Sequence, residues 1–168
     1  MTTSGTDSNG GSGDRDAAFQ LSEFLAHQLI AASRRVTRVL SDRYDKAFGL
    51  SVAEVSVLTV VSESGSLSPT GIADAASMDK VRVSRATASL VAKGLLRQTR
   101  DPDDGRGRLL RLTRKGQGVR DGIGPVSREF ETMLTGLFNK SDQANLRRIL
   151  VRLNGALDAV GGGSDKAE

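Results

Sequence analysis

Four arginines, at positions 82, 85, 106 and 108, are the side chains of this 168-residue chain whose types and spacing suit a defined chemistry. A guanidinium can give two parallel hydrogen bonds to a guanine edge or to a phosphate. Val81, Ser84 and Ser89 surround the first pair and supply an apolar contact for a thymine methyl and small adaptable hydroxyls. Arg106 stands between Gly105 and Gly107, with Asp104 close enough in sequence to brace it by a charge-assisted hydrogen bond. Together these residues point to double-stranded DNA, with a helix in the major groove and an arginine-tipped loop in the minor groove. Taken singly, each also reads as a solvated surface: charged outer faces are normal on helices, and hairpin arginines can be solvated beside their own aspartates.

Other chemistries find little support. There is no cysteine and only one histidine, His27. This excludes disulfides, thiolate metal sites and thiol redox switching, and leaves no ligand set for zinc. Asp101, Asp103 and Asp104 lie in a turn with Pro102 and Gly105, without a further ligand at calcium-loop spacing. No glycine-rich phosphate loop follows a strand, and no serine–histidine pair has supporting spacing. No enzyme activity, metal or cofactor is expected. The net charge of +4 permits nucleic acid as a partner without requiring it. No run approaches the roughly 18 apolar residues of a membrane span, and the N-terminus lacks a basic-then-apolar signal pattern. A cytoplasmic protein without membrane contact is the expectation.

The elements that position the arginines follow from caps and periodicity. Ser68 is an N-cap with Pro69 at the first helical position. Asp79 caps a second helix, Lys80 to Lys93, ended by Gly94. On it Val83, Ala86, Thr87 and Leu90 form the buried stripe, and Val81, Arg82, Ser84, Arg85 and Ser89 lie on or beside the opposite face. Residues 95–100 and 108–113 read as strands joined by the Asp/Pro/Gly-rich segment 101–107. Upstream, Ser51 and Glu54 have capping-box spacing for a helix with Val52, Val55, Leu58 and Val61 inward, ending near Gly65. This is a winged helix-turn-helix, residues 49–113, within a mainly α chain carrying a small β-hairpin wing.

Leu90, Lys93-Gly94-Leu95-Leu96, Asp101, Asp104, Arg106 and Leu112-Thr113-x-x-Gly116, with Met78-Asp79-Lys80 and Ser84-Arg85 upstream, resemble the signature of the multiple-antibiotic-resistance regulator (MarR) family. The order of elements matches over about residues 17–160. The resemblance implies a homodimeric transcription regulator on a near-palindromic operator, commonly a repressor released by a phenolic or aromatic acid or its coenzyme A thioester. It assigns Asp104 and Arg106 the family's wing roles. Gly105 departs from the pattern, since many members carry a second arginine there, and Arg108 is the residue placed to substitute. A winged-helix protein-interaction module without specific DNA binding is the competing reading.

Outside the wing domain, residues 1–15 and 161–168 are Gly/Ser-rich tails. Residues 16–48 and 114–160 form a helical dimerisation region. Its first helix carries a stripe from Phe24 to Tyr44; a second segment carries Val126 to Phe138; a last helix, capped by Ser141, carries Leu146 to Val160. Burial in a two-fold dimer covers these stripes; a single-chain bundle is the alternative. Thr113 caps the middle helix, and Gly122-Ile123-Gly124-Pro125 predicts a kink or break near Gly124. Phe24, His27, Arg34, Arg38 and Tyr44 are candidate walls for an effector pocket, although lone histidines and helix aromatics are more often ordinary surface and core residues.

Overall fold

The computed structural model describes residues 21–100 and 107–161. The chain divides within its first helix into two compact units, residues 1–38 and 39–168. In the first, a 3-10 turn at Leu21–Glu23 leads into α1 (Leu25–Phe48), so the helix starts later than residue 16, and residues 16–20 lie outside the described part. The Gln28 amide returns to the Ser22 carbonyl at 3.1 Å and tethers the turn to the first turn of the helix.

The second unit contains the end of α1, then α2 (Val52–Ser64), α3 (Pro69–Ala76), α4 (Lys80–Ala92), β1 (Leu96–Arg100), β2 (Arg108–Leu112), α5 (Arg114–Thr135) and α6 (Lys140–Gly161). The expected caps form. Ser51 and Glu54 close a capping box on α2, and the side chains of Ser68, Asp79 and Thr113 accept from Gly71, Arg82 and Gly116 N–H groups. Each satisfies an otherwise orphaned donor. Between α3 and α4 the chain turns through Ser77 in the left-handed region (φ 49°), with Met78 N–H bonded back to Ala73 O.

The core gathers around α2, which buries Val55, Val57, Leu58 and Val61. Ile72 and Ala73 from α3, Val83, Ala86 and Leu90 from α4, Leu96 and Leu110 from the hairpin and Ile123 from α5 close over it. The hairpin is antiparallel with Leu96 opposite Leu112 and Arg100 opposite Arg108. A bridge from Leu67 to Leu110 ties the α2–α3 connection to β2.

Thr113 locks the base of the hairpin. Its N–H donates to Leu95 O at 3.0 Å and its hydroxyl to Gly94 O at 2.7 Å. Gly116 packs so tightly here that a Cβ would stand 2.0 Å from Leu95 O. Only glycine allows α5 to start there.

Two expectations are corrected. Of the kink or break expected near Gly124, the break is absent: α5 runs continuously through Pro125 to Thr135. Pro125 is exposed, as is Asp121, whose carbonyl loses its helical donor on the solvent side. The inner side is pinned by buried Ile123 and Phe130 and by the Ser127 hydroxyl, which donates to Ile123 O at 2.9 Å. The glycines serve approach instead: a Cβ on Gly122 would come 3.0 Å from the Phe48 ring. The last helix is capped by Asn139, whose side chain accepts from Asp142 N–H at 2.9 Å, rather than by Ser141.

Candidate nucleic-acid interface

α4 presents its predicted outer face to solvent. Val81, Arg82, Ser84 and Arg85 are exposed, and Val81 is 59% accessible despite being apolar. Arg82 and Arg85 form no ion pair among the described residues. Ser89 is different. It is half-buried, and its hydroxyl donates to Glu54 Oε1 at 2.8 Å, so it is turned to α2 rather than to the open face. Five residues of the predicted set thus sit on α4, with four of them free on one surface.

The hairpin stands beside that helix. Gln98 of β1 borders a cavity of about 320 Å³ that Lys80, Ser84 and Thr87 of α4 and Thr70 of α3 also line. Arg108 is exposed and donates to Gln98 Oε1 at 3.0 Å, which holds its guanidinium along the hairpin edge. Asp104 and Arg106 lie outside the described residues. Sequence reasoning passed over Arg97, Arg100 and Arg111. The register sets Arg97 opposite Arg111 and Arg100 opposite Arg108, all exposed and none in an ion pair among the described residues. Like charges directly across a ladder are unfavourable unless an anion joins them. The signal was available: an arginine every third position from 97 to 100 and from 108 to 111.

One buried charge supports the interface from behind. The Glu54 carboxylate is 6% exposed. Its Oε1 accepts from Lys93 Nζ at 2.7 Å and from Ser89; its Oε2 accepts from the Ser51 N–H at 2.7 Å and the Ser51 hydroxyl at 2.8 Å. Burial pushes its pKa up, but Lys93, the Ser51 N–H and the two serine hydroxyls outweigh this and hold it at about 2, below the ordinary 4.5. Lys93 also donates to Gly49 O at 2.8 Å.

The candidate effector residues are divided between the two units. In the first unit His27, Arg34 and Arg38, with Ile30, Ala31 and Arg35, line a depression of about 350 Å³ on one face of α1. Phe24, about half exposed, does not line it. Tyr44 is buried in the core of the second unit and shares a 2.8 Å hydrogen bond with Ser127.

Residues 48–107, from the end of α1 to just before β2, match the MarR family. That match is to a family of winged-helix, DNA-binding regulators of transcription rather than of enzymes. An uncharacterized HTH-type transcriptional regulator of Bacillus subtilis (strain 168), YdgJ, is 26% identical over 116 residues, 69% of this chain and 68% of that protein. Among solved structures, this chain resembles BpsR of Bordetella bronchiseptica, whose DNA binding is regulated by 6-hydroxynicotinic acid. The TM-score is 0.75 at 23% identity, over 81% of this chain and 96% of that one. A mutant of E. coli MarR complexed with operator DNA matches with a TM-score of 0.71 at 22% identity, over 77% and 92% of the two chains. At these identities the likeness is one of fold. No single helix among the described residues is long and apolar enough to cross a membrane.

Proposed function

We propose that this protein is a MarR-type, cytoplasmic, homodimeric repressor that leaves a near-palindromic operator when a small aromatic acid, a phenol or an aromatic coenzyme A thioester binds. The observation that carries the reading is the outer face of α4, where Arg82 and Arg85 stand exposed beside Val81 and Ser84 without a carboxylate partner among the described residues. Free arginines on a capped helix suit the guanine edges of a major groove. Arg108, and in sequence Arg106 braced by Asp104, hold the adjoining minor groove or phosphates.

Residues 16–48 and 114–160 form the dimerisation region in this reading. The exposed Leu137, Ile149, Leu150, Leu157 and Val160 support it, because a second copy would remove them from water. A two-fold dimer carries two recognition helices about one DNA turn apart, as a palindrome requires. Arg34 and Arg38, which line one depression with His27, supply cationic walls for a carboxylate effector. The solved relatives lend support: BpsR responds to 6-hydroxynicotinic acid, an aromatic acid, and E. coli MarR binds operator DNA. An effector that favours one spacing of the two recognition helices lowers affinity for both half-sites together.

The test is binding of the purified protein to the DNA upstream of its own gene, against scrambled DNA of equal length at fixed salt. A preference of several hundredfold, lost on adding one aromatic acid or thioester from a panel, supports the reading. Arg85→Ala should weaken operator binding by about 1–3 kcal/mol, as for a base contact. Equal binding to both DNAs, unchanged in the Arg85→Ala variant, sinks the reading and favours the interaction module.

A further inference from the structure

Glu54 and the recognition arginines share one surface. A cavity of about 300 Å³ is lined by Ser51, Ala53 and Glu54 from the start of α2 and by Arg82, Arg85, Ala86 and Ser89 from α4. On α4, positions 82, 85, 89 and 93 follow one another at three- and four-residue steps, so Arg82, Arg85, Ser89 and Lys93 fall along one side of the helix. A buried carboxylate on that side has three cations within its row. The one it takes is Lys93, in the last turn, at 2.7 Å. Lys93 is held for this by a second bond, to Gly49 O, and its own carbonyl accepts from Lys115 Nζ at 3.0 Å. Its choice of partner is therefore fixed by the end of α1 and the start of α5 as well as by Glu54.

A buried anion without a partner is costly, and it captures any cation in reach. We infer that Lys93 is a positioning residue for DNA reading: by occupying Glu54 it keeps Arg82 and Arg85 out of an internal ion pair and available to the nucleic acid. This rests on the DNA-binding reading of α4 and adds to it a residue that does not itself face the groove.

The inference separates from a plain stabilising role by rescue. In Lys93→Met the carboxylate draws in Arg82 or Arg85, and operator affinity falls at least tenfold. The captured guanidinium also ceases to offset phosphate charge near the groove, so the slope of log affinity against log salt becomes shallower by up to about one. Adding Glu54→Gln removes the capturing charge and returns affinity to within threefold of the native protein. Adding Glu63→Gln, at the far end of α2, restores the same net charge and does not rescue. Lys93→Gln, which keeps a donor without the charge, falls between native and Lys93→Met and serves where the methionine variant does not fold. Denaturant unfolding gives the folded fraction for every comparison. Lys93 variants within threefold of native, or a double variant no better than Lys93→Met, overturn the inference. The same salt titration on scrambled DNA tests it independently of operator choice. Absence of operator preference in the native protein therefore counts against the proposed function, and an unchanged salt slope counts against the role of Lys93.

Discussion

Along its 13 residues α2 buries Glu54, Val55, Val57, Leu58 and Val61, whereas α6 runs for 22 residues and buries none among those whose burial is described. Both carry regular apolar positions. In α2 these meet α3, α4, α5 and the hairpin from the same chain. In α6, Ile149 is 54% and Leu157 58% exposed. The difference teaches that periodicity reports a face to be covered and is silent on what covers it. α2 is the hub of a domain that closes on itself. α6 offers a surface of a kind monomers seldom leave open.

Breaking α2's side of this contrast should be far more damaging than altering α6. The largest effect is expected from Gly116→Ala. A Cβ 2.0 Å from Leu95 O cannot be accommodated without moving the backbone, so denaturant unfolding should show a loss of about 4 kcal/mol or more. Leu58→Ala, at a fully buried position of α2, should cost about 2–5 kcal/mol by the same measurement.

The Glu54 clamp gives a graded effect with acid. Its carboxylate has a folded pKa near 2, against an ordinary 4.5. The stability it adds is complete above about pH 4.5 and drains away as the pH falls towards 2; it is worth at most about 3 kcal/mol. Glu54→Gln should flatten the stability curve across that window in thermal melts, and an unchanged curve would remove the clamp from the account. At the small end stands α6. Leu157→Glu should change the stability of the isolated fold by less than about 0.5 kcal/mol, yet sedimentation should show it shifting the proposed dimer towards monomer. A dimer of unaltered strength would detach α6 from the interface.

The wing domain was legible because its signals are local. Ser51, Ser68, Asp79 and Thr113 announce helix starts through bonds that span only three residues. The stripe Val83, Ala86, Thr87 and Leu90 is buried as its spacing requires. What escaped depends on distant partners. Gly122 and Gly124 beside Pro125 read as a break, yet Gly122 serves the approach of Phe48, which lies more than 70 residues earlier. Ser89 has the chemistry of a groove contact and lies close to the right face. Its hydroxyl belongs to Glu54, 35 residues upstream. Tyr44, a candidate pocket wall, is buried in the core of the second unit. The first helix starts later than periodicity alone suggests, because apolar spacing persists through the 3-10 turn before Leu25.

The closure at the base of the hairpin has a consequence for how such a regulator can diversify. Thr113 fastens to Gly94 and Leu95, so everything from Leu96 to Leu112 is a loop already cinched at its neck. The entropy of a closed loop rises only logarithmically with its length, and doubling it costs about 0.6 kcal/mol. Insertions between Arg100 and Gly107 therefore leave the packing beneath the neck undisturbed. New tips could be tried there one after another, by mutation or in the laboratory, on a scaffold that does not have to be refounded each time.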